Sequence, residues 1–138
     1  MIEAFVADAS VGVAWVHPAQ VTPETALLLE AVSDGAQVFA PALWPLEVSN
    51  ALLVLVRRKK LTLGERGRSL SGIQNLRVSL DHEMSSLAFT KLSGLAHEHE
   101  LSVYDAAYFE LAQRLKLPLA CKDGKLRHAA RRAHIKVL

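Results

Sequence analysis

Residues 2–7 (IEAFVA) form a short run that is almost wholly apolar on both alternating faces, and it stops at a carboxylate, Asp8. A strand without a polar face has to be covered from both sides, as in a parallel sheet between helical layers. Two further runs repeat the pattern: 37–40 (QVFA), stopped by Pro41, and 117–121 (LPLAC). Between them the periodicity turns helical. A short helix is expected over 11–16. Thr22-Pro23-Glu24 opens a second, with Pro in the first turn and Leu27, Leu28, Ala31 and Val32 on one side. Gly35 is placed to cap its end. Further helices are expected over 43–58, with Pro45 tolerated in the first turn, and over 63–76, 84–99, 103–115 (introduced by Ser102) and 124–133. Residues 78–80 and 135–138 bring the expected strands to five. No repeat or linker interrupts the series, so residues 1–138 read as one domain.

Strands that alternate with helices imply an α/β fold with the sheet covered on both faces. In such folds polar chemistry collects outside the C-terminal ends of the strands, near the point where strand order reverses. Asp8 stands at such an end after strand one, and Asp123 after strand four.

Charge is distributed unevenly. The first 56 residues carry acids (Glu3, Asp8, Glu24, Glu30, Asp34, Glu47) and no Lys or Arg, although the whole chain has a formal net charge of +2. From Arg114 to Lys136 there are eight bases and a single acid, Asp123. That asymmetry points to a polyanionic partner, provided the bases share a face. The lone Cys121 excludes an internal disulfide framework and suits a reducing cytoplasm. No basic residue precedes the first apolar stretch, unlike a signal peptide, and the apolar run 51–56 is too short to span a bilayer. A cytoplasmic chain without a membrane anchor is expected.

Each acid near a strand or helix end also has a purely structural reading. Asp8 suits the N-cap of the following helix. Asp105 lies three residues after Ser102, in the manner of a capping box. Asp123-Gly124 is a turn signal. Glu47 is harder to explain structurally, because LWPLEVSNALLVLV is apolar enough to bury most of a helix circumference. A carboxylate there needs a partner, a cation or a raised pKa. One such partner is Asn50, three residues on and on the same helix face. Several acids meeting at one sheet edge would repel unless a cation offset them, and hard oxygen ligands favour Mg²⁺ or Mn²⁺. The His97-Glu98-His99 spacing makes its two imidazoles diverge on a helix, which argues against zinc.

With these residues in view, the chain resembles the PIN-domain ribonucleases, and within them the VapC-type toxins of toxin–antitoxin pairs. The resemblance spans essentially the whole chain. It rests on VADAS, PLEVSNAL, SVYDAAYFELA and LACKDGKLRHAA in order and register. It implies a three-layer α/β/α fold with a five-stranded parallel sheet. It also implies an acidic pocket of Asp8, Glu47, Asp105 and Asp123 around Mg²⁺ or Mn²⁺. In that pocket Asp8, Asp105 and Asp123 would be metal ligands, and Glu47 would bind through water or orient the attacking water. Ser10 and Asn50 match accessory polar positions. Metal-activated water would cleave RNA in line, leaving a 5′-phosphate and a 3′-hydroxyl. Lys122, Lys125, Arg127, Arg131 and Arg132 would hold phosphates beside the acids. A homodimer and a small cognate antitoxin are the implied partners. Cys121 departs from the pattern, standing where the family usually has Thr or Ser.

Two alternatives remain open. A receiver or haloacid-dehalogenase domain also carries Asp after strand one, but wants further acids beside it, and here Ala7, Ala9 and Ser10 flank Asp8. The other is a PIN-like module that holds RNA or a protein without cutting; the intact acids argue against it and the altered Cys121 keeps it open.

Overall fold

The computed structural model describes residues 1–138. Its sheet is built from β1 (Ala4–Ala7), β2 (Gln37–Pro41), β3 (Val78–Asp81) and β4 (Leu119–Ala120), in the order β3-β2-β1-β4. All pairings are parallel, with Phe5 opposite Val38, Phe39 opposite Ser79 and Val6 opposite Leu119. The helices are α1 (Ala9–Val16), α2 (Pro23–Ser33), α3 (Trp44–Arg57), α4 (Leu63–Asn75), α5 (Met84–Leu87), α6 (Ser93–His99), α7 (Val103–Leu115) and α8 (Gly124–Arg132). None is long and apolar enough to cross a membrane.

The double-sided apolar pattern of β1 is used as its period of two requires. Phe5 and Ala7 pack with Val11, Leu28, Val38 and Ala120 on one side of the sheet. Val6 joins a larger cluster on the other side, with Trp44, Val48, Tyr108, Phe109, Leu119 and Leu126. Three layers result, with helices on both faces.

The five strands expected from the sequence are corrected to four. Residues 135–138 contribute one isolated bridge, Val137 to Leu119. The Leu119 amide donates to Lys136 O at 2.8 Å, and the Leu138 amide donates to Leu119 O at 3.0 Å. Pairing is confined to these bonds, and the Leu138 carbonyl accepts from the Arg127 guanidinium at 2.9 Å. β4 is itself shorter than the expected 117–121. Pro118 has no amide to donate, and the Leu117 amide closes the end of α7 on Ala112 O.

Two further expectations change. The helix expected over 84–99 is interrupted by a π turn at Ala88–Leu92, which keeps Leu92 in the core and leaves Phe89 97% exposed. The α3 helix is not buried around most of its circumference. Trp44, Val48 and Leu52 form a single buried stripe, whereas Leu46 is 73% exposed and Asn50 faces solvent.

Candidate functional site

The chain reverses strand order around β1, running outward to β2 and β3 on one side and to β4 on the other. The crevice beyond the ends of β1 and β4 is therefore the topological switch point. Asp8 stands on one side of it and Asp123 on the other, and the first turns of α3 and α7 bring Glu47 and Asp105. All four carboxylates sit at helix N-termini: Asp8 and Asp123 are the N-caps of α1 and α8, and Glu47 and Asp105 lie in first turns. The unpaired amides and aligned dipoles there favour negative charge, which offsets part of the crowding.

Asp8 is held from every side. Its amide donates to Ala120 O at 3.0 Å, and its own carbonyl accepts Trp44 Nε1–H at 3.2 Å. Its Oδ1 accepts the Ser10 hydroxyl at 2.6 Å and the Val11 amide at 3.2 Å. Ser10 Oγ in turn accepts the Lys122 amide at 3.2 Å, so one hydroxyl links the loop after β4 to the carboxylate after β1. Trp44 can reach Asp8 only because residue 12 is glycine: a Cβ there would lie 2.6 Å from Trp44 Cζ2. The helix-capping reading of Asp8 is thus realised, but it uses only one of the two carboxylate oxygens. Burial pushes the carboxyl up to about 6, with the Glu47 charge adding to the rise.

Asp105 is likewise pushed up to about 6, first by burial and then by the charges of Asp123, Asp8 and Glu47. The Ser102 hydroxyl accepts the Asp105 amide at 3.0 Å, but the Asp105 carboxylate makes no reciprocal bond to the cap. The capping box is half-formed and leaves this acid free to face the others. Asp123 Oδ1 accepts the Lys125 amide at 3.0 Å, a turn bond that uses one of its two oxygens.

Glu47 is half-buried, and burial raises its pKa. Its partner is not Asn50, which makes no hydrogen bond to it. Instead Glu47 Oε1 accepts the Tyr108 hydroxyl at 2.7 Å. Burial and the neighbouring Glu47 charge push the Tyr108 phenol above its ordinary range, so it remains a donor. Sequence reasoning missed Tyr108. Its one local signal is its place three residues after Asp105, on the same face of α7.

The basic residues divide. Arg127 is half-buried and donates to Cys121 O and Leu138 O, both at 2.9 Å, which tethers the C-terminal residues. Lys122 is exposed and its Nζ donates to Gln20 O at 3.0 Å. Lys125, Arg131 and Arg132 are exposed on α8 with His128, opposite the buried stripe of Leu126, Ala129 and Ala130. None of these bases is paired with a carboxylate. Cys121 is buried, and burial pushes its thiol well above the usual range, which favours the neutral thiol over the thiolate. Its only polar contact is a long one, 4.0 Å, to Asp123 O. His99 packs against the Phe109 ring at 4.6 Å.

In charge and donor chemistry the four acids fit a hard divalent cation: all donors are carboxylate oxygens, and the pKa values of Asp8 and Asp105 are raised partly by the other acids. They do not form a closed ligand shell, since no three His, Cys, Asp or Glu side chains stand together as a metal-holding group.

The chain matches no protein-family model and no curated protein. Among solved structures it is similar to PAE2754 from Pyrobaculum aerophilum, with a TM-score of 0.68 and 22% identity over 93% of this chain and 79% of that one. It is also similar to FitAcB from Neisseria gonorrhoeae, with a TM-score of 0.58 and 20% identity over 97% of this chain and 96% of that one. The fold is PIN-like. At these identities the likeness concerns the fold alone, and the PIN-like sheet of this chain carries four strands.

Proposed function

We propose that this chain is a metal-dependent endoribonuclease contained in one domain, residues 1–138. The observation that carries the reading is electrostatic. Carboxylates from four helix N-termini share one neighbourhood at the switch point, and the pKa values of two of them rise to about 6. Asp8, Asp105 and Asp123 would hold Mg²⁺ or Mn²⁺, with Glu47 acting through water. Such an ion, when bound, supplies Lewis acidity: it makes water nucleophilic near neutral pH and offsets charge on the scissile phosphate. Ser10 orients Asp8 through its 2.6 Å hydrogen bond. The unpaired bases Lys122, Lys125, Arg131 and Arg132 would bind phosphates along the strand. In this reading the chain is the toxin of a toxin–antitoxin pair, a homodimer silenced by a small antitoxin.

A second reading is a PIN-like module that binds RNA or a protein without cutting. It is favoured by the missing ligand shell and by the capture of Glu47 Oε1 by Tyr108. Judged on geometry alone it is the better supported of the two, because it requires no further movement of the acids. The four sequence blocks are what favour cleavage.

The two separate in one experiment. End-labelled single-stranded RNA is incubated with the purified chain in Mg²⁺, Mn²⁺ or EDTA, alongside Asp8→Asn. Metal-dependent products ending in a 5′-phosphate and a 3′-hydroxyl, abolished in the variant, support the nuclease. RNA retained on the protein but uncut in either metal establishes the binding module.

A further inference from the structure

We propose that Tyr108 is the positioning residue for Glu47, fixing how that carboxylate presents itself to a divalent cation; the inference rests on the metal-dependent reading above. Tyr108 is 1% exposed, in the middle of α7, and its hydroxyl crosses to α3 to meet Glu47 Oε1 at 2.7 Å. The bond joins residues 61 apart in sequence, and it is the only side-chain hydrogen bond between these two helices. Asp105 lies one turn earlier on the same face of α7. One helix therefore carries one acid of the site and, three residues later, the strut that holds the acid of a second helix. The separation of Glu47 from Asp105 is set by a rigid phenol ring rather than by the flexible Glu side chain.

The bond also divides the carboxylate. Oε1 is occupied by the phenol, and Oε2 makes no hydrogen bond within the chain. The strut thereby fixes the plane of the Glu47 carboxylate and leaves Oε2 as the oxygen open to an ion, directly or through water. Removing the hydroxyl would free the side chain to rotate and would cost affinity for the ion.

Mn²⁺ binding, read by electron paramagnetic resonance of the free ion and by calorimetry, tests this without relying on cleavage. Tyr108→Phe keeps the ring and removes the donor. It is expected to weaken Mn²⁺ binding about tenfold, equivalent to about 1.4 kcal/mol. In a Glu47→Gln background the same substitution should change the affinity less than twofold. Installing p-aminophenylalanine at 108, which restores a donor, should recover most of the loss. A role in packing alone would lower the urea midpoint and leave this coupling absent. Parental Mn²⁺ affinity in Tyr108→Phe, or an equal loss with and without Glu47, overturns the proposal and leaves the metal-dependent reading standing. Failure of the parent chain to bind Mn²⁺ overturns both.

Discussion

The raised pKa values at the acidic edge make metal-free stability a function of pH. Asp8 goes from an ordinary 3.8 to about 6 in the fold, chiefly through burial. Between those values the folded state binds more protons than the unfolded one, so stability falls as pH rises through the window and is regained as pH drops. The Asp8 contribution is at most about 3 kcal/mol, since one pKa unit corresponds to about 1.4 kcal/mol. Asp8→Asn keeps an oxygen for the α1 cap and removes the charge. Thermal melts in EDTA are expected to show the variant equal to or above the parent at pH 7.5, with the gap closing towards pH 5. A parent that is the more stable at pH 7.5 would show that the carboxylate is favourably partnered. The second charged group behaves in the opposite sense. Arg114 grips Asp81 with two bonds of 2.8 and 3.0 Å and the buried Glu110 at 2.6 Å, and it holds the Asp81 carboxyl below its usual range. That stability is present at neutral pH and disappears on acidification. Arg114→Leu strands Glu110, whose remaining cation is Lys91 at 3.9 Å, and should cost about 3 kcal/mol in urea melts. Cleavage by the folded variant should be retained, because Arg114 touches none of the four acids.

At the scale of elements, the site depends on how closely α1 and α3 approach. Gly12 lets the Trp44 ring lie against the α1 backbone, and Trp44 in turn bonds the Asp8 carbonyl. Alanine would gain about 0.5–1 kcal/mol from helix propensity. The same methyl meets the ring edge at 2.6 Å, and overpacking of that kind costs about 1–3 kcal/mol. A rigid indole cannot swing away cheaply, so the clash wins. Gly12→Ala is expected to melt lower and to cleave more slowly, since the ring has to move off Asp8. Unchanged melting would mean that α1 and α3 separate freely and do not fix the site.

For the molecule as a whole, the relevant feature is the division of charge: carboxylates gather at the strand ends, and the outer side of α8 carries Lys125, His128, Arg131 and Arg132 without an acid. If an RNA strand runs from the acids along α8, replacing Arg131 and Arg132 by Gln should weaken binding to all sequences alike. The log–log salt slope should fall by about 0.7–0.9 for each phosphate that is no longer neutralised. An unchanged slope would place the strand elsewhere on the surface. Arg127 belongs to a different class, since its guanidinium is spent on Cys121 O and Leu138 O. Its replacement should lower stability before it alters binding.

Local pattern was enough to place the helices from Ser102 and Asp123 onward and to put Asp8 and Asp123 at strand ends, because caps, breakers and alternation act over a few residues. It was also enough to draw attention to Glu47, an acid in an apolar helix. Pairing over long separations was not legible. Whether residues 135–138 would become a strand turned on how much of the two-residue β4 they could meet, and they make one isolated bridge to it. The partner of Glu47 was Tyr108, 61 residues away, rather than Asn50 one turn along. A hydrogen bond of that kind is decided by the crossing of two helices over a sheet, and neither helix encodes that crossing by itself. The acids and their order are properties of the sequence; the rise in the pKa values of Asp8 and Asp105 and the lack of a closed ligand shell come from the packing of four helix ends around one crevice.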